Sequence, residues 1–298
     1  MLHRSDIQIR DPFVVTVPEE GLYYLYGTTD RNAWSGPGTG FDVYRSRDLE
    51  QWEGPFPAFR PEVGFWGTEN FWAPEVHRWK GRYYMFASFK APGRRRATQI
   101  LAADGPLGPF RPLSDRPATP PDWECLDGTL YADRQGDPWI VFCREWLQVT
   151  DGEMYALRLS ADLAETAGEP IKLFAATEAP WVRSTVYEAA GQPDVRGFVT
   201  DGPFLFRPAE GELRMLWSSH GAEGYAMGIA KSVSGEIEGP WTQEAMPFFR
   251  RDGGHGMLFA DLKGQLTLAL HCPNRTPDER PVFFRMKTEG GTLALSED

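Results

Sequence analysis

Apolar residues in this chain come in short runs rich in aromatic and β-branched types, each closed by Gly, Pro, Asp or Asn. No long stretch carries them at the 3.6-residue spacing of an amphipathic helix. That pattern predicts an all-β protein. One unit recurs five times: a polar head at a turn, a short apolar strand, a Gly-containing turn and a second apolar strand. Arg10-Asp11-Pro12-Phe13-Val14 leads to Gly21 and Leu22-Tyr23-Tyr24. Trp72-Ala73-Pro74-Glu75-Val76 leads to Gly81 and Arg82-Tyr83-Tyr84. Leu126-Asp127-Gly128 leads to Gly136, Thr200-Asp201-Gly202-Pro203 to Gly211, and Gly254-His255-Gly256 to Gly264. The heads are thus Asp11, Glu75, Asp127, Asp201 and His255.

Outer-strand candidates follow each pair, among them the runs starting at Phe41, Thr98, Met154, Ala226 and Pro281. Repeats of roughly 40–50 residues with four strands each are propeller blades. These repeats are longer, which implies extra loops. Residues 1–298 read as one domain, a single five-bladed β-propeller. Because the first head lies so near the start, the residues before it are expected to complete the last blade.

Inner strands of a propeller run side by side along its central channel, so residues at one register of every blade meet at one end. Asp-Gly and Asp-Pro are also favoured turn pairs, and each acid taken singly suits its own turn. Carboxylates brought together repel, a cost usually kept for function. Such a group supplies either acid/base chemistry or cation binding: like charge raises one pKa to make a proton donor, while a better-solvated neighbour stays ionised. Two such carboxyls are the minimum for cleaving a glycosidic bond. A lone His is a poor calcium ligand.

Bulk composition narrows the partners. The net charge of -11 argues against nucleic acid, which needs a basic face. Arg94-Arg95-Arg96 is the one basic cluster and reads as a solvated loop tip. The three cysteines, Cys125, Cys143 and Cys272, have no C-x-x-C spacing and cannot all pair, which suits a reducing compartment. No run reaches membrane-spanning length and the first residues lack a signal core, so a cytoplasmic protein with no membrane partner is expected.

These residues together carry a family likeness. Arg10-Asp11-Pro12, Ser46-Arg47-Asp48-Leu49 with Trp52, Trp72-Ala73-Pro74-Glu75-Val76, Leu126-Asp127-Gly128 and Gly254-His255-Gly256 occur in an order and spacing that resembles glycoside hydrolase family 43. The resemblance implies a five-bladed propeller that hydrolyses arabinose- and xylose-containing glycans with inversion. It makes Asp11 the general base and Asp127 the carboxylate that tunes the acid. It makes His255 the channel histidine, which often lies beside a calcium or other ion through water. No cofactor is required; calcium near His255 is the one ion the resemblance suggests. An inverting enzyme holds acid and base roughly 6.5–9.5 Å apart.

One departure stands out. The family's acid is a Glu directly before Gly-Pro, and here that position is Asp201. Glu145, Glu178 and Glu188 are the candidates to replace it, and loss of hydrolysis is the remaining alternative. Glu75 stands where Asp is more usual after Ala-Pro and is read as supporting the substrate-binding groups. Trp72 and Trp146 are the favoured sugar-stacking aromatics among Trp34, Trp66, Phe71, Trp123 and Trp181. Glu145 and Arg280 are further candidates for sugar contacts, and His271 reads as a packing residue. The expected activity is exo-acting release of arabinofuranosyl or xylosyl units from an oligosaccharide. The alternatives are a related propeller phosphorylase and a catalytically silent sugar-binding propeller.

Overall fold

The computed structural model describes residues 1–187, 194–208, 211–289 and 292–296. Its strands form five antiparallel blades, each laid out in chain order from channel to rim. Blade one comprises Arg10–Val17, Leu22–Thr28, Phe41–Ser46 and Gln51–Phe59; blade two Glu69–Trp79, Arg82–Lys90, Ala97–Ala103 and Arg111–Pro112. Blade three comprises Cys125–Ala132, Pro138–Arg144, Glu153–Leu159 and Thr166–Ala175; blade four Asp201–Phe206, Leu213–Gly221, Gly224–Ser232 and Trp241–Gln243. Blade five comprises Gly254–Ala260, Leu266–Cys272, Arg280–Glu289 and Thr292–Leu295. A hairpin, Thr185–Tyr187 with Val195–Gly197, and a one-turn helix, Trp146–Val149, stand outside the blades.

The local code of each blade is visible in its first turn. Gly21, Gly81, Gly136, Gly211 and Gly264 all have φ between 62° and 86°, a left-handed conformation that costs any other residue a steric penalty. The repeated glycine is therefore there for its backbone.

Strand residues alternate between two neighbours. In the second strand of blade two, Met85, Ala87 and Phe89 pack toward blade one, while Tyr84 and Phe86 pack toward blade three. Blade three does the same: Val141 and Cys143 face blade four, Ile140 and Phe142 face blade two. The core is consequently five separate wedges, one at each blade interface. With apolar side chains on both faces, these strands read as short continuous apolar runs.

The fifth wedge, between blades five and one, closes the ring. Thr16 Oγ1 donates to the Ala260 carbonyl at 2.7 Å and the Leu262 N–H to Tyr23 OH at 2.7 Å. The N-terminus does not complete the last blade as expected. Leu2–His3 pairs with Gln51 and Trp52 on the rim of blade one, and Thr292–Leu295 already occupies the outer edge of blade five. All three cysteines are free.

Candidate active site

Five inner strands enter the channel through the same irregularity. Each has a bulge in its first ladder, between Arg10 and Phe13, Trp72 and Glu75, Leu126 and Thr129, Asp201 and Phe204, and Gly254 and Met257. The residue on the bulge is left-handed in every blade: Asp11 (φ 53°), Ala73 (45°), Asp127 (54°), Gly202 (53°) and His255 (48°). The next residue is always Pro or Gly. A bulge re-aims the side chain it carries, so three of these positions point a functional group at one point.

This register corrects the five heads read from sequence. Asp11, Asp127 and His255 are structurally equivalent; Glu75 is not, because Ala73 occupies its blade's bulge. Asp201 precedes the bulge residue Gly202, in the register of Arg10. Chain order alone could not separate a bulge residue from its neighbours.

His255 lies between two of the carboxylates, with Nδ1 3.1 Å from Asp11 Oδ1 and 3.7 Å from Asp127 Oδ2. Burial disfavours its cation, but those two charges prevail and push the imidazole up to about 10. Burial also opposes ionisation of Asp11. The His255 charge and hydrogen bond, with Arg10, outweigh it and hold Asp11 well below the usual carboxylate range. Thr28 Oγ1 donates to Asp11 Oδ2 at 2.6 Å. Asp11 is the anion of the site.

Asp127 and Asp201 go the other way. Both are raised, chiefly by burial, and each acts against a carboxylate neighbour: Asp201 and Asp11 raise Asp127, and Asp11 raises Asp201, which is pushed up to about 6. Tyr225 OH donates to Asp201 Oδ2 at 2.8 Å, and the Gly202 N–H to Asp127 Oδ2 at 3.0 Å. Two carboxyls so placed titrate as a pair, one of them losing its proton above the usual carboxylate range. His271 is fully buried and acts as packing: its Nδ1 accepts the Asp11 N–H at 3.1 Å, and its Nε2 faces Asn274 Oδ1 at 3.0 Å. Burial and Arg10 depress it to about 4, so the ring is neutral.

Around this centre opens a cleft of about 880 Å³. Asp11, Asp127, Asp201, His255, Trp72, Glu145 and Trp146 all line it. One wall is a stack of rings and cations. The Arg96 guanidinium lies 3.6 Å from the Trp72 ring centroid, Trp72 and Trp34 are 5.4 Å apart, and Arg10 covers Trp34 at 5.0 Å. Glu145 Oε2 meets Arg96 Nε at 3.4 Å, and both side chains are nearly sealed from solvent.

Several sequence expectations fail on this geometry. Glu75 does not line the cleft; it is buried two residues beyond the bulge and pairs with His77 at 3.3 Å. Arg280 does not reach the channel either. Its guanidinium is spent on the Ser5, Pro277 and Glu279 carbonyls, tying the N-terminus to blade five. Glu178 is exposed and caps a short turn through the Ala175 N–H. Glu188 lies outside the described residues. Phe71 and Trp181 are core residues, Trp66 spends its indole N–H on Gln99, and Trp123 packs on Tyr155.

Arg96 was read as a loop tip and is 3% exposed on the cleft wall. Its fate turns on Trp72 and Glu145, residues distant in sequence that the fold brings beneath it. Tyr225 was missed for the same reason. A test follows from the buried pair. Arg96→Leu strands the Glu145 charge and is expected to cost about 2 kcal/mol, less than a fully enclosed pair because one side meets the cleft. The combined Arg96→Leu, Glu145→Leu variant should recover most of that loss in chemical denaturation. A double variant no more stable than the single one would mean the two do not act as a pair.

The calcium expectation has limited support in these residues. His255 Nε2 is buried without a hydrogen-bond partner, which leaves one N–H for a ligand oxygen. His255 itself is cationic, however, and among the described residues no group of three or more His, Cys, Asp or Glu side chains could hold a metal. They do not assemble a direct calcium shell.

Residues 6–287 match the model of the family described as glycosyl hydrolases family 43. An endo-arabinase structure from Bacteroides thetaiotaomicron is 44% identical, covers 98% of this chain and 99% of its own, and superposes with a TM-score of 0.89. A thermostable family-43 glycoside hydrolase is 25% identical over 98% of this chain and 93% of its own, with a TM-score of 0.77. Among curated relatives, an extracellular exo-α-(1→5)-L-arabinofuranosidase of Cellvibrio japonicus is 23% identical over 55% of this chain and 47% of its own length. An extracellular endo-α-(1→5)-L-arabinanase of Bacillus subtilis is 23% identical over 47% and 49%. The matches span about half the length of these two curated relatives.

Proposed function

The chain belongs to the glycosyl hydrolases family 43, and from that premise we propose that it hydrolyses arabinofuranosyl linkages with inversion, Asp201 acting as acid and Asp11 as base. One observation carries the assignment: two carboxyls of the same cleft titrate far apart, Asp11 held well below the usual carboxylate range by His255 and Asp201 raised to about 6. That split equips a site to donate one proton and accept another. Asp11 takes a proton from the water that attacks the anomeric carbon. As the glycosidic C–O bond breaks, Asp201 gives its proton to the departing oxygen. Solvent then restores both carboxyls.

Asp201 is favoured over the glutamates by its surroundings. Glu145 is bound to Arg96 and Glu178 faces away, whereas Asp201 is half-buried, acts on Asp127 and opens to the cleft. Arabinofuranosyl is the preferred sugar because the proteins named above that this chain resembles include an endo-arabinase and two arabinan-type enzymes. Exo action draws support from the likeness to the exo-α-(1→5)-L-arabinofuranosidase of Cellvibrio japonicus. Endo action draws support from the endo-arabinase likeness. Early products from α-(1→5)-linked arabino-oligosaccharides decide between them: arabinose alone means exo, a ladder means endo. Xylosides belong in the same panel, and NMR of the first-formed anomer tests inversion.

Asp201→Asn is expected to lower kcat on arabino-oligosaccharides by about 10²–10⁴-fold. The loss should be far smaller on dinitrophenyl glycosides, whose leaving group needs no proton. Because the acid must be protonated, kcat falls as pH rises through about 6, and this limb disappears in the variant. The acid side stays flat, since Asp11 remains ionised. Equal losses on both substrate types would remove Asp201 from the role.

A further inference from the structure

The residue opposite the start of each bulge faces the next blade. In four of five blades it is an acceptor for that blade's left-handed N–H. Thr28 takes the Ala73 N–H at 2.7 Å, Ser88 the Asp127 N–H at 2.9 Å, Ser218 the His255 N–H at 2.8 Å and His271 the Asp11 N–H at 3.1 Å. Blade three breaks the pattern. Cys143 pairs with Leu126 in the equivalent register; it is buried, faces blade four, and its thiol contacts Met154 Sδ at 3.8 Å. The Gly202 N–H goes instead to Asp127 Oδ2, 3.0 Å away.

We propose that Cys143 is a positioning residue: by withholding a strong acceptor at this one interface, it leaves the Gly202 N–H to fix the Asp127 carboxylate beside Asp201. The proposal rests on the reading that Asp201 and Asp127 carry the acid's proton. Sulfur is a weak acceptor and a serine hydroxyl a good one, and the three hydroxyls in this register bond the facing N–H at 2.7–2.9 Å. Thr200 Oγ1, buried beside the thiol, would receive the proton of a hydroxyl placed there. Serine at 143 would therefore complete the fourth hydroxyl of the ring and take Gly202 from Asp127. At each of the three interfaces that place a hydroxyl in this register the left-handed N–H goes to it, and an N–H taken or shared by serine would hold Asp127 less firmly.

The consequence inverts the usual order of conservative change. Cys143→Ser is nearly isosteric, yet it should lower kcat roughly 10-fold with KM within about 2-fold, the size of one lost hydrogen bond to a charged group. Cys143→Ala adds no acceptor and should lose less kcat than the serine variant. The second readout needs no substrate. In glycine-labelled ¹⁵N–¹H spectra, the Gly202 amide should shift strongly in Cys143→Ser and hold its position in Cys143→Ala. An unmoved Gly202 amide in the serine variant overturns the wiring, as does alanine losing at least as much kcat as serine. Failure of the acid assignment is distinguishable, because Asp201→Asn kinetics would report it while the amide signature still tested Cys143.

Discussion

Asp11→Asn is expected to reduce kcat by at least about 10²-fold, and by as much as about 10⁴-fold, while leaving a folded protein. The physical case has two parts. The first is catalytic: an amide cannot accept the water's proton, and the neighbouring Asp127 and Asp201 are both raised, where Asp11 is lowered. The second is structural. Asp11 sits at φ 53°, where Asn is among the best-tolerated residues, and the amide oxygen can still accept from Thr28. Losing the charge beside His255 costs one charge-assisted hydrogen bond, about 1.5–3 kcal/mol. The His255 ring keeps its contact with Asp127, 3.7 Å from Nδ1 to Oδ2. Azide, an anionic nucleophile that needs no base, should restore part of the turnover and form the inverted glycosyl azide. A kcat within threefold of the unaltered enzyme would remove Asp11 from the base role.

Gly202→Ala is expected to destabilise the protein by about 3 kcal/mol, about 1 from left-handed strain and about 2 from overpacking. A Cβ on Gly202 would lie 2.7 Å from both Cγ and Cδ2 of His255, and its φ of 53° is already unfavourable for alanine. The His255 ring cannot simply swing away, because it is buried and tied to Asp11. At roughly 2–4 °C per kcal/mol for a chain of this size, the midpoint should fall by about 10 °C. Gly81→Ala is the internal control: its φ is 86°, but nothing lies within 4 Å of the added carbon. It should cost only about 1 kcal/mol. Equal shifts for the two variants in thermal unfolding would show that contact with His255 contributes nothing. Activity of Gly202→Ala should fall with stability, since its N–H anchors Asp127.

Arg96 and Cys143 show why part of the site was legible and part was not. Asp11, Asp127 and His255 stand beside Pro or Gly in a repeated local context, so the short-range pattern was enough to find them. Asp201 was found the same way, although its register was misjudged by one residue. Arg96 has no local mark. It sits at the end of an arginine run like many loop tips, and only Trp72 beneath it and Glu145 across from it make it a wall of the cleft. Tyr225 belongs to the third strand of blade four, remote from any head, yet its hydroxyl reaches Asp201. Arg280 failed in the other direction: its place in blade five suggested the channel, but three backbone carbonyls hold it near the N-terminus.

What the sequence determined by itself is therefore the local and repeated content: β-strands from short aromatic runs, turns from left-handed glycines, five blades from five copies, and the residue types gathered in the channel. These depend on a few neighbouring residues and on a period, both of which survive in one dimension. The tertiary structure alone decided register and ionisation. A bulge moves a side chain by one position without altering the apolar pattern, which is how Ala73 and Gly202, rather than Glu75 and Asp201, came to occupy the left-handed positions. Charge states followed from the same convergence. His255 was pushed up to about 10 and Asp201 to about 6 because burial beside other charged groups sets a pKa, and those neighbours come from different blades.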